Sequence, residues 1–155
     1  MIVGHGLRAR TVEGPIAPGD EPSLTGLVAR RYRCRACGAV LVVVPRGVGR
    51  GYRYSLGAIA WALSLWSHER ATASQVRART STQKTVGAAS ATRWASLRRW
   101  TRCAQSLFGV SVRGGGTLRE RAAAIASFVA AHTPIALGPV PLDAFFGASF
   151  CGQLE

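Results

Sequence analysis

Apolar positions change their spacing near residue 50. Before it they come in short runs. LVARRYRC at 27–34 is dense in β-branched, aromatic and arginine residues, and AVLVVV at 39–44 is a brief apolar run. Both patterns predict strands. CRACG, which joins them, predicts a tight turn in which Gly38 can take a positive φ. GLRARTVEG at 6–14 is a candidate further strand, and PIAPGDEPS at 15–23 reads as a loop from its proline, glycine and acidic content. The first third of the chain thus reads as a small β-ribbon.

Beyond residue 50 the period becomes helical. Ser55 is placed to cap a helix running to about Trp66, with Leu56, Ile59, Ala60, Leu63 and Trp66 at three-and-four spacing. Thr72 with Gln75 three places on predicts a capping box and a short second helix carrying Val76, Arg77 and Arg79. STQKTVGAAS at 81–90 is a polar connection, and a third helix is predicted over about Ala91–Phe108. GGG at 114–116 separates it from a fourth helix. Thr117 boxed by Glu120 opens that helix, which runs to about His132 with Leu118, Ala122, Ile125 and Val129 on one face. After Pro134 the tail is apolar and broken by prolines, and is expected to pack over the helices. The class is α+β: a β-hairpin region at 1–50, a bundle of about four helices at 51–132 and an apolar tail at 133–155.

Charge narrows the partners. The 155 residues carry 20 basic and 7 acidic side chains, a formal net charge of +13, and Lys84 is the only lysine. Guanidinium forks pair with phosphate two bonds at a time and reach guanine edges in a major groove. An excess this large points to nucleic acid or an anionic surface rather than to a particular fold. The longest apolar run, AIAWALSLW at 58–66, is far short of the ~20 residues a spanning helix needs. MIVGHGLRAR has no apolar segment of signal type. A cytoplasmic protein with reduced thiols and no membrane partner is expected.

The third helix carries the sharpest signal. At ~100° per residue, Leu97, Trp100, Ala104, Leu107 and Phe108 share one face, and Arg98, Arg99, Arg102 and Gln105 the opposite one. No acidic residue lies between Arg70 and Arg119. An ordinary solvated face mixes both signs, so a one-signed face suggests a polyanion. Three helices in this order suit a helix-turn-helix, in which the first braces, the second crosses the backbone and the third enters the major groove. The connection at 81–90 is longer than the tight turn of such motifs, and is expected to contain the start of the third helix, with Lys84, Thr92 and Arg93 near the DNA.

Cys34 and Cys37 have the spacing and the strand–turn–strand setting of one zinc knuckle. Cys103 and Cys151 do not form a second and read as buried small hydrophobes. His5 is the one histidine in the ribbon and a candidate third ligand; His68 and His132 end helices and read as caps or surface residues. HGLRAR followed by RRYRCRACG and a helical RW-rich segment resembles the N-terminal zinc-ribbon and helix-turn-helix region of bacterial insertion-sequence transposases, and uncharacterised bacterial proteins made of that region alone. The matching residues are His5, Gly6, Arg8, Arg10, Arg31, Tyr32, Arg33, Cys34, Cys37 and Gly38, with SLRRW at 96–100 similar to the family's TVxRW. The resemblance implies a zinc ribbon whose first knuckle, CPxCG, precedes the HG strand. This chain begins four residues before that motif, so the expected reading is that the first pair was lost with the start of the gene, by truncation or a misplaced start codon. Two cysteines alone hold zinc poorly unless His5 or a second chain contributes.

The acids Glu13, Asp20, Glu21, Glu69, Glu120, Asp143 and Glu155 are scattered, and neither a P-loop nor GxSxG is present. A thiol oxidoreductase would place its CxxC at a helix start in a βαβ setting, whereas Cys34 and Cys37 join two strands. The expectation is a non-enzymatic, double-stranded DNA-binding protein. Arg93, Arg98, Arg99 and Arg102 would touch phosphates or bases, and Arg31, Arg33 and Arg35 would add phosphate contacts from the ribbon. The candidate metal ligands are Cys34, Cys37 and His5, for zinc. Two alternatives stay open: a basic RNA- or ribosome-associated zinc-ribbon protein, and a non-functional transposase-derived remnant. A homodimer is also left open.

Overall fold

A computed structural model describes residues 1–84, 93–112 and 115–151. The chain is α+β: a three-stranded antiparallel sheet in the order β1-β2-β3, followed among the described residues by six helices. β1 (Ile2–Gly14) pairs with β2 (Ser23–Cys34) along its whole length, from Ile2 opposite Cys34 to Gly14 opposite Ser23. β3 (Val40–Val43) adds to the outer part of β2, from Arg33 opposite Val40 to Arg30 opposite Val43. β1 is both longer than the candidate strand read from GLRARTVEG and irregular at one place. His5 and Gly6 together oppose the single residue Arg31, so the HG pair is a β-bulge with Gly6 at φ 93°.

One end of this hairpin is anchored. The Glu13 N–H donates to the Arg53 carbonyl at 2.8 Å, and its own carbonyl accepts from Ser55 N at 3.0 Å. The Glu13 side chain is wholly buried. Its Oε1 accepts from Ser81 Oγ at 2.8 Å, Thr82 N at 2.7 Å and Thr82 Oγ1 at 3.0 Å, while Arg53 Nε stands 2.6 Å from Oε2. One carboxylate thus ties the sheet to the segments before the first helix and after the second. Arg10 adds a clamp, its Nη2 donating to the carbonyls of Gly49 at 2.6 Å and Tyr52 at 2.7 Å. The Cys34 end lies about 30 Å along the strand from this anchor, at ~3.3 Å per residue.

The helices form one core around α1 (Leu56–Ser67), which packs on four of the other five. Its sequence is apolar nearly all round, as a central helix requires. Ser55 caps it, accepting from Ala58 N at 3.0 Å. α2 (Ala73–Thr80) opens with the Thr72–Gln75 capping box. α3 (Ala95–Arg102) and α4 (Ala104–Phe108) divide what the pattern predicts as a single helix. The break is at Cys103, at φ −94° and ψ 17°, just after the Thr101 hydroxyl donates to the Leu97 carbonyl at 2.8 Å, a bond that bends helices. Of the predicted start, positions 91 and 92 lie outside the described residues. α5 (Leu118–Ala130) has the Thr117–Glu120 box, whose hydrogen bonds from Thr117 hold the Glu120 carboxyl below the usual range.

α6 (Val140–Gly147) packs against α1 and α5. The pattern reads this stretch only as a proline-broken tail. Pro139 and Pro141 in fact occupy the cap and first turn, where a missing N–H costs nothing. Gly147 sets the approach of the two helices: a Cβ there would stand 2.1 Å from the Val129 carbonyl oxygen of α5. Gly147→Ala is expected to lower unfolding free energy by roughly 1–3 kcal/mol, the usual range for overpacking. Denaturant unfolding checks this, and an unchanged midpoint would contradict the close approach. Among the described residues no helix is long and apolar enough to cross a membrane.

Candidate nucleic-acid interface

The inner face of α3 is locked by aromatic rings. Trp100 meets Trp94 at 4.9 Å and Tyr54 at 5.0 Å between centroids, both edge to face. Arg77 of α2 donates to the Arg93 carbonyl at 3.1 Å and lies 5.7 Å over the Trp94 ring. Leu97 and Trp100 of α3 and Ala104, Leu107 and Phe108 of α4 are buried. With that side fixed, the outer side must present Arg98, Arg99 and Arg102 of α3 and Gln105 of α4, and all four are exposed. Arg93 is exposed at the head of the same helix. Among the described residues the ion pairs are Arg53–Glu13 and Arg79–Glu69, so no carboxylate neutralises this face. Arg99 lies 5.6 Å over the Tyr52 ring. Between Arg93 and Arg98 a cavity of about 310 Å³ opens over Trp66, Trp94, Leu97 and Leu118.

Strand register sorts the ribbon arginines. Residues opposite one another in an antiparallel pair share a face. Arg31 and Arg33 of β2 have the same parity as Ala29, which sits opposite Arg8, and Leu27, which sits opposite Arg10. Arg8, Arg10, Arg31 and Arg33 therefore share one face, and Arg30 belongs to the other. Arg33 is exposed, Arg31 half-buried, and Arg35 is exposed in the turn, its backbone N–H donating to the Met1 carbonyl at 3.0 Å.

Tyr52 connects the two sets. Its carbonyl accepts from Arg10 of the ribbon, its ring lies under Arg99 of α3, and its hydroxyl is 3.4 Å from Ser106 Oγ. Tyr52 thus bridges Arg10 of the sheet and Arg99 of the helix. Sequence reading missed Tyr52, Arg10 and Glu13 as site-building residues. A signal existed for Arg10, which has the same parity as Arg8; a lone glutamate and tyrosine carry none.

No family model, curated protein or solved structure matches this chain.

The cysteines stand as follows. Cys34 N–H donates to the Ala39 carbonyl at 2.8 Å, and Gly38 N–H to the Cys34 carbonyl at 2.9 Å, with Gly38 at φ 75°. The backbone N–H groups of Cys37 and Ala36 act on the Cys34 sulfur and hold its thiol below the ordinary value. All four cysteines are free thiols. Burial pushes the Cys151 thiol up to about 11, and the half-buried Cys103 marks the α3–α4 break. His5 sits in the bulge opposite Arg31, three residues along from Cys34, and is not gathered with the two thiols. Among the described residues no three His, Cys, Asp or Glu side chains converge as a metal site. His68 Nε2 lies 3.3 Å from both the Ala123 carbonyl and Ser127 Oγ; His132 Nδ1 lies 2.8 Å from the Phe128 carbonyl. Lys84 is exposed, and Thr92 lies outside the described residues.

Proposed function

We propose that this chain binds double-stranded DNA without catalysing a reaction on it, in the manner of the DNA-reading region of a transposase. The observation that carries this reading is the outer face of α3. Arg98 and Arg102 are exposed with no hydrogen-bond or ion-pair partner among the described residues, Arg99 is held over Tyr52, and no carboxylate is paired with any of the three. A row of guanidiniums with free forks on a firmly packed helix is what phosphates and guanine edges recognise. Arg31, Arg33 and Arg35 extend it along the ribbon. α3 lies in the groove in this reading and the sheet follows the backbone. Three of the seven carboxylates serve structure: Glu13 in the sheet anchor, Glu120 in a cap, and Asp143 accepting from Leu137 N at 2.7 Å.

Competition on labelled duplex DNA tests this. At low ionic strength the protein is expected to retain the duplex, and unlabelled duplex is expected to displace it at lower concentration than structured RNA at the same salt. Preferential displacement by RNA would transfer the site to RNA. Absence of retention would leave the arginines as composition alone.

A further inference from the structure

We propose that the cavity at the head of α3 takes one unpaired nucleobase of a DNA strand, with that nucleotide's phosphate held between Arg93 and Arg98. The inference rests on the DNA reading and adds to it a preference for duplexes that offer an unpaired base. The cavity measures about 310 Å³, at the lower end of the ~300–1,000 Å³ that small-molecule sites occupy. Its walls come from α1, α2, α3 and α5, with the indoles of Trp66 and Trp94 among them and Arg93 and Arg98 completing the lining.

The indoles supply the part that takes a ring. Arg119 lies 5.2 Å over Trp66 and Arg77 lies 5.7 Å over Trp94. Trp94 is also fixed edge to face against Trp100 at 4.9 Å and Tyr54 at 6.0 Å. Both indoles are thus held by groups outside the lining, and the cavity is formed before any ligand arrives. Contact between a base and an aromatic wall tolerates any base, because every base has a π-face.

The helix ends and arginines supply the part that takes an anion. Arg93 and Arg98 are exposed, and no carboxylate pairs with them among the described residues. Ala73, Ala95 and Leu118, all on the cavity wall, are the first residues of α2, α3 and α5. Three helix N-termini, each with partial positive charge, are therefore gathered there. α2 and α5 close theirs with the Thr72–Gln75 and Thr117–Glu120 boxes. α3 has no side-chain cap, so its first-turn N–H groups are left for an acceptor such as phosphate. An inorganic anion would leave the indoles unused, and an uncharged ring would leave the arginines unused. A nucleotide uses both. A paired base is held in the stack, so an unpaired one enters at the least cost.

The test compares three DNA duplexes at one salt concentration: fully paired, with one extra unpaired nucleotide, and with an abasic residue at that extra position. The abasic duplex keeps the phosphate and the flexible backbone and lacks only the ring. The unpaired base is expected to raise affinity roughly fivefold to a hundredfold over the abasic duplex, the range for one stacked base, whichever base it is. Ala95→Leu is an exposed first-turn substitution that narrows the cavity and keeps every arginine. It should erase that gain and leave affinity for the paired duplex unchanged. Free deoxyadenosine monophosphate should bind far more weakly than the unpaired duplex, since it lacks the contacts along the strand. Equal affinity for the unpaired and abasic duplexes, a gain that Ala95→Leu leaves intact, or free nucleotide bound as tightly as the unpaired duplex would each overturn the proposal. A larger gain on the matching RNA helix would also overturn it, by moving the cavity to RNA. Retention of the paired duplex with no gain from the unpaired base sinks the cavity assignment alone. Failure to retain any duplex at low salt removes the DNA reading, and this inference with it. Should Ala95→Leu not fold by circular dichroism, the comparison on the wild-type chain still decides.

Discussion

Glu13→Ala is expected to cost about 3–5 kcal/mol of unfolding free energy, the range for breaking a buried pair. The wholly buried carboxylate accepts three hydrogen bonds on one oxygen, from Ser81 and Thr82, and pairs through the other with Arg53. Truncation leaves the buried Ser81 hydroxyl and the part-buried Thr82 amide without their acceptor, and a buried donor so stranded costs about 1–3 kcal/mol. It also opens a void among the packed segments. Arg53 is half-exposed and rehydrates, which keeps the total at the lower part of that range. Domains are usually stable by only about 5–15 kcal/mol, so the loss is a large share. Glu13→Gln retains an acceptor for Ser81 and Thr82 and gives up the charge, and should lose roughly half as much. Urea unfolding of the three proteins measures it. Glu13→Ala within about 1 kcal/mol of the parent, against a domain range of about 5–15, would show that the sheet is held by other interactions.

The double reversal Arg98→Glu/Arg99→Glu is expected to weaken duplex DNA binding roughly a hundredfold or more at low salt, since each arginine at such an interface contributes about 1–3 kcal/mol and the new carboxylates repel phosphate. The fold should survive. Both side chains are exposed, and the substitution gives up only the stacking of Arg99 on the Tyr52 ring, about 0.5–1 kcal/mol at an exposed site. Circular dichroism and the unfolding midpoint separate the two effects. Unchanged affinity with intact structure would remove α3 from the interface. The single reversal Arg79→Glu is the comparison, because Arg79 is already paired with Glu69 and should matter less.

How much of this was legible in the sequence depended on how local each cause was. Ser55, Thr72 with Gln75, and Thr117 with Glu120 act within one turn, and each opens its helix where the pattern places it. The two faces shared by α3 and α4 follow from a period of ~3.6, and the buried and exposed sets match residue by residue. The break at Cys103 and the helix under Pro139 and Pro141 were hidden because a hydroxyl bond and a proline each admit two local outcomes. Packing against α1 and α5 chose between them. Non-local pairings were hidden altogether. Nothing near Glu13 in sequence announces Ser81 and Thr82, and nothing announces that Tyr52 joins Arg10 to Arg99. The fold class was readable from period, the candidate face from one helical stretch, and the Tyr52 link from ribbon to helix only from tertiary packing.

The most direct measurement is duplex DNA affinity across a series of salt concentrations. Each phosphate neutralised contributes about −0.9 to the slope of log K against log salt. If Arg93, Arg98, Arg99 and Arg102 engage, with added contacts from Arg31, Arg33 and Arg35, the slope should fall between about −3.6 and −6.3. It should become shallower in the Arg98→Glu/Arg99→Glu protein. A slope near zero, or one the double reversal leaves unchanged, would contradict a phosphate-reading face on α3.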